Sequence, residues 1–537
     1  MYILNAIPLI KIPRPNSQIL SYFSNFKIKP GFLIKVPLRN KKINAIVLEC
    51  NTVEQERLRL KKYADFEIKP IEKLKNPKQI LNKKQIELLI WLSEYYFAPI
   101  GQFARIFLSK NLPTHKNNSL ILTPKTKRLV FSPFKKLKSI IVEDADNDLY
   151  ESWGKKPYYN AKNIAIQLTQ IHNAKLILKT NLPSIETYYW AKQKKYKLEI
   201  QDTKHKIQNT NIIDMRKEMV GGNFSPISKK LEEKITNSNK TILFIARRGT
   251  STIVLCRECG YIAKCPSCDI PMVFHKDKPS RRLVCHHCGK DDIAPVLCPN
   301  CKSIKIKYLG SGTQKIEEKI KNNWPNKRVL RMDSDISEKP IDQQKIIQEF
   351  NNSQDAILIG SQMVLNKGLK ADLTAVVSID TVLNLPDFKT SERIFEIIGR
   401  IMNMSNKEFL IQTYNPDNKI FNLAIENNFN TFYNEEIKDR EKFDYPPFSE
   451  IIKLSYFHKN FLKAKNEAKI LFEKIKTQVA NYKISNIDFK MLGPTSAFIA
   501  KEKGLYKWNI IIKSKLTIRQ RNKILIIIPS IWEVEVI

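Results

Sequence analysis

Eight of the nine cysteines lie between Cys256 and Cys301, in four Cys-x-x-Cys pairs of equal spacing. A Cys-x-x-Cys turn directs two thiolates to one point, and two such turns complete a tetrahedral Zn²⁺ site. Four turns therefore predict two sites with four sulfur ligands each, in which the metal stabilises the fold and does not react. Buried thiols do not account for four equal spacings, and disulfides need an oxidising compartment. Spacing alone leaves three ways to combine the turns, which are Cys256/Cys259, Cys265/Cys268, Cys285/Cys288 and Cys298/Cys301.

The net charge of the chain is +38, from 91 lysines and arginines against 53 aspartates and glutamates. Such an excess predicts a polyanionic partner, with nucleic acid as the first candidate. A compositional explanation stays open, because the chain is crowded with Lys, Asn and Ile, as translated AT-rich genes are. The positive charge is spread along the chain and is not confined to one tail.

The N-terminal residues do not have the pattern of a secretory signal, since residues 1–8 lack a charged start and a cleavage site. The longest apolar runs, such as residues 524–528, are far too short to span a bilayer. Together with cysteines of the metal-binding type, these features predict a soluble, cytoplasmic protein without a membrane partner.

A β-rich domain is predicted for residues 1 to about 75, from alternating apolar and polar residues. Residues 32–37, which include Lys35, and residues 43–48 form a predicted hairpin whose turn carries Arg39, Lys41 and Lys42. A basic turn of this kind either holds phosphates or is simply solvated. Residues 85–101 have helical periodicity that stops at Pro99-Ile100-Gly101, and residues 108–128 are predicted to be a polar linker.

The rest of the chain alternates short apolar runs with amphipathic ones, which predicts α/β domains with parallel sheets. The cysteine-rich stretch interrupts this pattern and is therefore predicted to be an insertion in a parallel-sheet domain. In the C-terminal part, a helix is predicted at residues 461–479 and strands at 506–513 and 523–528. The other predicted strands are residues 139–142, 176–178, 198–200, 212–216, 241–246, 304–309, 329–332, 356–359, 375–379 and 409–412.

The predicted strand at residues 139–142 ends in Glu143 and Asp144, as buried parallel strands do where they deliver carboxylates to a nucleotide site. Such a site needs a glycine-rich loop whose lysine reaches the terminal phosphates. Among the 15 glycines only Gly154 and Gly289 precede a lysine, and neither lysine is followed by Ser or Thr. The chain therefore has no Walker A motif, and the two carboxylates are predicted to be an exposed strand end. No arrangement of Ser, Cys, His and Asp predicts a catalytic site.

Several motifs on either side of the cysteines resemble the PriA family, the primosomal proteins N′ of bacterial replication restart. The resemblance covers nearly the whole chain, in the order of the family. Tyr95-Tyr96 with Pro99-Ile100-Gly101 resembles the end of the family's N-terminal DNA-binding domain. The other motifs include Ile212-Ile213-Asp214-Met215-Arg216, Phe244-Ile245-Ala246-Arg247-Arg248-Gly249, Leu385-Pro386-Asp387-Phe388, Tyr445-Pro446-Pro447-Phe448 and Leu492-Gly493-Pro494-Thr495.

This resemblance implies one pairing of the four cysteine turns, in which the first and last turns share one Zn²⁺ and the two middle turns share the other. It also implies a pocket for a DNA 3′ end near Arg39 and Lys69, although Gln18-Ile19 replaces the family's aromatic-acid pair there. The first implied zinc site is Cys256, Cys259, Cys298 and Cys301, and the second is Cys265, Cys268, Cys285 and Cys288.

The departures from the family concern every element that touches ATP. After residue 113 the winged-helix domain and the first half of helicase lobe one, with its Walker A motif, are missing. The Asp-Glu-Glu-His box is Glu143-Asp144-Ala145-Asp146 here, and the Ser-Ala-Thr-Pro box is Thr180-Asn181-Leu182-Pro183. The arginine-finger stretch is shortened around Gly399-Arg400, and loss of that finger alone reduces turnover by roughly 10³ or more.

The expected architecture is a multidomain α/β protein. A β-rich DNA-binding domain (1–113) precedes a truncated, degenerate superfamily 2 helicase lobe one (114–210). Lobe two (211–255 and 302–430) carries the inserted zinc module (256–301), and an α+β domain (431–537) follows.

The expected function is replication restart: a PriA-like protein that binds forked or single-stranded DNA and primosome or other replication proteins. We expect two structural zinc ions, no ATP, no catalytic residues and no helicase activity. A residual ATP-dependent 3′–5′ DNA helicase and a protein-interaction scaffold of the replication machinery are the alternatives. Predicted DNA contacts are Lys35, Arg39, Lys41, Lys42 and Lys69, and Glu143 with Asp144 mark a vestigial nucleotide site.

Overall fold

The computed structural model forms two compact units. The first unit is Met1–Gln201, Pro446–Met491 and Leu505–Ile537, and the second is Asp202–Tyr445 and Leu492–Gly504. The structure describes residues 1–13, 17–39, 41–56, 68–72, 78–108, 118–152, 156–200, 209–245, 252–256, 258–259, 261, 263–267, 271–275, 282–285, 288–304, 306–309, 313–333, 340–365, 367–383, 387–485, 488–502 and 504–537.

The first unit begins with a five-stranded antiparallel sheet. Its strands are β1 (Tyr2–Pro8), β2 (Leu20–Ser24), β3 (Phe32–Leu38), β4 (Lys41–Thr52) and β5 (Lys78–Gln79), in the spatial order β2-β1-β4-β3-β5. The hairpin predicted from the sequence is the β3–β4 pair, whose register places Lys35 opposite Asn44. One face of the sheet has its own core of buried apolar side chains, among them Leu4, Ile34 and Val47.

The helix predicted over residues 85–101 is two helices, α1 (Lys83–Tyr95) and α2 (Ile100–Phe107). Pro99 separates them, because proline lacks the amide hydrogen of a helix interior and disfavours helical geometry in the residue before it. Gly101 is required where α2 crosses the end of β1. A Cβ atom there would lie 2.2 Å from the carbonyl oxygen of Ile10.

A four-stranded parallel sheet follows in the first unit, with its strands side by side in chain order. The segment predicted to be a polar linker contains the first of them, and that prediction was wrong there. The buried Leu120 and Leu122 alternate with exposed residues, but a four-residue run is too short to predict a strand before its partner is known. The elements are β6 (Ser119–Leu122), β7 (Ser139–Val142), β8 (Lys175–Thr180), β9 (Lys197–Ile200), α3 (Ala161–His172) and α4 (Ile185–Lys192).

The second unit combines a six-stranded parallel sheet with an inserted antiparallel one. The strands are β10 (Asn209–Asp214), β11 (Lys240–Ile245), β12 (Thr252–Cys256), β13 (Val273–His275), β14 (Arg282–Val284), β15 (Asp291–Ile293), β16 (Ile306–Leu309), β17 (Arg328–Met332), β18 (Ala356–Gly360), β19 (Ala371–Ser378) and β20 (Ser405–Thr413). The parallel sheet has the order β10-β20-β19-β11-β18-β17, and the inserted sheet has the order β15-β14-β13-β12-β16.

The inserted sheet begins and ends with strands that pair with each other, since β12 and β16 are antiparallel neighbours. The chain therefore leaves the parallel sheet after β11 and returns beside its point of departure. The helices of this unit are α5 (Met215–Val220), α6 (Lys229–Thr236), α7 (Thr313–Asn323), α8 (Pro340–Asn352), α9 (Asp380–Leu383), α10 (Thr390–Asn403), α11 (Lys419–Ile425) and α12 (Phe429–Lys442).

The C-terminal part of the first unit is built on β21 (Glu450–His458), which pairs antiparallel with two later strands. The strand predicted at residues 523–528 was wrong: those residues begin inside a helix that Thr517 caps, together with Gln520. Short apolar runs do not distinguish a strand from one face of a helix. The remaining elements are α13 (Phe461–Asn481), β22 (Phe489–Glu502), which continues into the second unit at Leu492, β23 (Leu505–Ser514), α14 (Ile518–Leu525) and β24 (Glu533–Val536).

Arg521 connects α14 to the C-terminal end of α1. Its side chain is fully buried, and Nη2 donates hydrogen bonds to the carbonyl oxygens of Glu94 and Tyr95, each over 2.8 Å. Nη1 donates to the carboxylate of Glu450 on β21. The last carbonyls of a helix have no partner within the helix, so this guanidinium satisfies groups that burial would otherwise leave unbonded.

We expect Arg521→Ala to lower the free energy of unfolding of the first unit by about 3 kcal/mol or more. The substitution removes a donor from the Glu450 carboxylate and from the carbonyls of Glu94 and Tyr95, of which only the Glu94 carbonyl keeps a bond from Asn522. The measurement is urea unfolding followed by circular dichroism. Arg519→Ala is the matched control, because Arg519 lies on the same helix but is exposed, and its effect should be within about 0.5 kcal/mol. Equal effects of the two substitutions would show that the buried contacts of Arg521 contribute no more to stability than an exposed arginine does.

Candidate metal centres and nucleic-acid interface

The first and last cysteine turns meet in the inserted sheet. The ligand atoms of Cys256, Cys259, Cys298 and Cys301 all lie within 4.8 Å of one another. The Sγ atoms of Cys256 and Cys301 are 3.6 Å apart, and those of Cys259 and Cys298 are 3.5 Å apart. Sulfurs bound 2.3 Å from a tetrahedral Zn²⁺ are about 3.8 Å apart, so the donor set and its spacing fit zinc.

The two middle cysteine turns form a second cluster. Cys265, Cys285 and Cys288 also have their sulfurs within 4.8 Å of one another, with 3.6 Å between the Sγ atoms of Cys265 and Cys288. Cys268, the fourth residue of this set, lies outside the described residues, as do His286 and His287. The structure thus brings together seven of the eight cysteines, in the nested arrangement that the resemblance implies.

The cysteine turns owe their shape to left-handed backbone just after the pair. Gly289 follows Cys288 with φ 81° and donates from its amide to the carbonyl oxygen of Cys285 over 2.8 Å. Lys302 follows Cys301 with φ 60° and makes the equivalent bond to Cys298 over 2.9 Å. Each pair of thiols is therefore held at the bend of a tight, hydrogen-bonded turn.

The electrostatics of these thiols also favour a bound metal ion. Burial raises the pKa of Cys256 to about 12, so the isolated thiol would keep its proton at neutral pH. A bound Zn²⁺ replaces that proton and stabilises the thiolate. The apolar core beside the clusters is small, with Val254, Met272 and Leu283 among its members, and modules of this size usually need a metal to stay folded.

The candidate DNA-binding residues are exposed on the N-terminal sheet or next to it. Arg39 occupies the turn between β3 and β4 with φ 53°. The Nζ atom of Lys42 lies 2.5 Å from Glu72 and lowers the pKa of that carboxyl, and the charge of Lys35 adds to this effect. The structure therefore places Lys35 and Lys42 within electrostatic reach of the same carboxylate.

The other two candidates, Lys41 and Lys69, are exposed as well. Lys41 is the first residue of β4 and faces Leu38 across the hairpin. The backbone carbonyl of Lys69 accepts a hydrogen bond of 3.0 Å from the amide of Phe23 on β2. Lys69 therefore lies on a segment that runs beside the edge of the sheet, apart from the hairpin turn.

Glu143 and Asp144 are half-buried and hydrogen-bonded, so the prediction of an exposed strand end was wrong. Glu143 forms an ion pair of 3.3 Å with Lys179 on β8. Asp144 accepts a hydrogen bond of 2.5 Å from the side chain of Asn147, in a turn that starts with its own φ of 49°. The chain folds back on the sheet immediately after β7, which the local sequence does not indicate.

Asp146, two residues further on, is an ionic centre that sequence reasoning missed. Its carboxylate is 2.6 Å from Nζ of Lys162 and accepts a bond of 2.7 Å from the hydroxyl of Thr187. Burial acts to raise the pKa of Asp146, but the charge and hydrogen bonds of Lys162, with those of Thr187 and Ser184, lower it overall. This network ties α3 and α4 to the end of β7, and no local signal links residues so far apart in the sequence.

Two family models match this chain. Residues 9–109 match the PriA 3′ DNA-binding domain (3′BD), and residues 265–291 match the Cys-rich region (CRR) domain of the PriA DNA helicase. The first range covers β2 to β5 of the N-terminal sheet with α1 and α2, and the second covers the second cysteine cluster. They define the class: a DNA-binding α/β protein with a cysteine-rich zinc module.

Curated relatives align with a large part of the chain. Replication restart protein PriA of Bacillus subtilis is 33% identical over 405 residues, covering 72% of this chain and 49% of the relative. The PriA proteins of Borreliella burgdorferi and Chlamydia muridarum are each 32% identical over 74% of this chain, and over 60% and 54% of their own lengths. The chain belongs to the PriA family, and it spans about half the length of these relatives.

A solved structure of S. cerevisiae Dbp5 bound to RNA and ADP BeF3 aligns with 66% of this chain and 79% of its own, at 12% identity and a TM-score of 0.30. A likeness at that level carries no argument about fold or function. Within the described ranges, no helix is long and apolar enough to cross a membrane.

We expect Cys298→Ser to reduce the zinc content of the purified protein by about half, because it removes one of four thiolates from the first cluster alone. Metal released by a thiol-modifying reagent, read with a colorimetric zinc indicator, measures the content. Cys50→Ser is the matched control, since Cys50 is a half-buried cysteine of β4 outside both clusters. Zinc content unchanged in Cys298→Ser, or lowered equally in both variants, would contradict the assignment.

Proposed function

We propose that this protein acts in replication restart by binding forked or branched DNA, without unwinding it. The match of residues 9–109 to a 3′ DNA-binding domain carries the proposal. The four strands β2 to β5 and the two helices of that range support it, since the strands form, together with β1, a sheet with an exposed basic hairpin. Lysines and arginines at such a turn bind phosphates without regard to base sequence.

We further propose that the zinc ions are structural and that the zinc module docks primosome or other replication proteins. Four sulfur ligands leave no open position for a substrate, which supports a structural role. The module also exposes large apolar side chains, with 71% of Ile293, 66% of Val296 and 49% of Leu297 accessible. Exposed apolar residues gathered in one small module are typical of a protein-docking surface.

The proposed absence of helicase activity is supported by a motif that the sequence lacks and by the contacts of two carboxylates. The sequence has no phosphate loop, and Glu143 and Asp144 bond to Lys179 and Asn147 of their own sheet. Carboxylates engaged in this way are poorly placed to hold a magnesium-bound nucleotide. An ATPase assay in the presence of forked DNA tests this point, and turnover that Asp144→Asn abolishes would overturn it in favour of a residual helicase.

We expect the double variant Lys35→Glu/Lys41→Glu to bind a forked oligonucleotide more weakly than the wild type, with a salt dependence whose slope is smaller by about two. Fluorescence anisotropy at several salt concentrations measures both quantities. Lys469→Glu/Lys474→Glu is the matched control, because it makes the same charge change at exposed positions of α13. Equal losses in the two variants would mean that net charge alone determines binding. Binding that is independent of salt would contradict the proposed phosphate contacts.

A further inference from the structure

Three aromatic rings form a row in the first unit, at α4 and just before β21. The ring centroids of Trp190 and Tyr189 are 4.9 Å apart, and those of Tyr189 and Phe448 are 5.2 Å apart. All three side chains are half-buried, so each ring keeps part of its surface in contact with solvent. Other aromatic residues of the same unit, such as Phe103 and Phe131, are fully buried.

The row is exposed because α4 has no continuous apolar face. Of its eight residues, Ile185 and Thr187 are buried, and the rest of the helix is at least partly accessible. The contact between Tyr189 and Phe448 holds the row in place from the other side. Half-buried Tyr and Trp side chains are common in folded proteins, so the case for a binding site depends on what lies beside the row.

A lysine-rich turn lies beside the row. Lys194 takes a left-handed conformation with φ 57°, and the amide of Lys195 then donates to the carbonyl oxygen of Trp190 over 3.1 Å. This reversal places Nζ of Lys195 3.3 Å from the centroid of the Trp190 ring. Nζ of Lys192 lies 4.7 Å from the centroid of Tyr188 on the same helix. The turn thus surrounds the end of the row with positive charge.

Two acidic residues, one on α4 and one on β9, lie in the same described part of the chain as these lysines. Glu199 on β9 forms an ion pair of 2.8 Å with Lys197, so that pair is neutral. Glu186, in the first turn of α4, is half-buried, whereas Lys192, Lys194 and Lys195 are exposed. The exposed surface next to the aromatic row is therefore positive, which suits phosphate groups.

We propose that the aromatic row of Trp190, Tyr189 and Phe448, with the lysines of the adjoining turn, is a binding site for single-stranded DNA. Because Lys195 covers one face of Trp190, unpaired bases would stack on the exposed parts of the three rings, while their phosphates lie against Lys192, Lys194 and Lys195. A duplex does not fit, because its base faces are already stacked inside the helix. The site deepens the proposed DNA binding by adding a contact outside the N-terminal domain.

If these residues serve only to stabilise the fold, a different experimental result is expected. Lysines near the C-terminal end of a helix stabilise its dipole, and a lysine over a ring stabilises both side chains. In that case substitutions would change the unfolding transition and leave DNA affinity unchanged. Measuring the affinity for single-stranded DNA therefore distinguishes a binding site from a purely structural arrangement.

The test measures binding of the full, zinc-loaded chain to a circular single-stranded oligothymidine by fluorescence anisotropy. A circle has no 3′ end, so it does not engage a 3′-end-binding site. Trp190→Ala should weaken binding to the circle roughly tenfold, the effect expected for losing one stacked base. Trp190→Phe keeps a ring and should bind within about threefold of the wild type.

Tyr482→Ala is the matched control, because Tyr482 also precedes a left-handed lysine at a helix end and is 47% exposed. It should bind the circle like the wild type. The proposal is overturned if Trp190→Ala binds as the wild type does, if Trp190→Phe is as weak as Trp190→Ala, or if duplex circles bind as tightly as the single-stranded circle. A linear fork with a free 3′ end tests the proposed function separately. A wild type that binds the circle but not the fork would refute that function and leave the present site standing.

Discussion

The buried guanidinium of Arg521 holds the first unit together, because it closes the end of the helix on which three segments depend. Helix α1 contributes Leu89 and Leu92 to a core that also contains Ile46 of the N-terminal sheet and Ile140 of the parallel sheet. A buried cation is tolerated only when its donors are all satisfied. The carboxylate of Glu450 and the last carbonyls of α1 meet that demand. Arg521 therefore joins β21 to α1 by hydrogen bonds, and α1 shares an apolar core with the N-terminal sheet and the parallel sheet.

The zinc module also depends on one constraint. Its chain can fold only if the cysteine sulfurs come together. Its first and last strands, β12 and β16, are neighbours, and this pairing brings Cys256 within reach of Cys301. The middle turns then lie on the strands and loops between them. Since the apolar core there is small, metal ions held by the cysteine turns would add to the stability of the module. Large apolar side chains consequently remain at its surface.

In the four-stranded parallel sheet, the carboxylates that follow β7 form internal contacts. Asp146 pairs with Lys162 and Thr187, and Glu143 pairs with Lys179. Each pair ties a helix or strand to the end of β7. The half-exposed rings of Tyr189 and Trp190 belong to the helix that Thr187 ties to Asp146 at the end of this sheet.

The sequence by itself determined the features of the protein that depend on residues close together in the chain. A Cys-x-x-Cys turn is a local structure, so metal chemistry could be predicted from spacing, and the alternation of apolar runs was enough for the α/β class with parallel sheets, which the structure confirms. The motifs also led to the family. Only the tertiary structure decided the features that depend on residues far apart in the chain. These are the pairing of the cysteine turns, the ion pair of Asp146 with Lys162, the hydrogen bonds from Arg521 to the end of α1, and the helix at residues 518–525. The reason is physical. Burial, long-range hydrogen bonds and ring contacts join side chains whose separation along the chain bears no fixed relation to their separation in space.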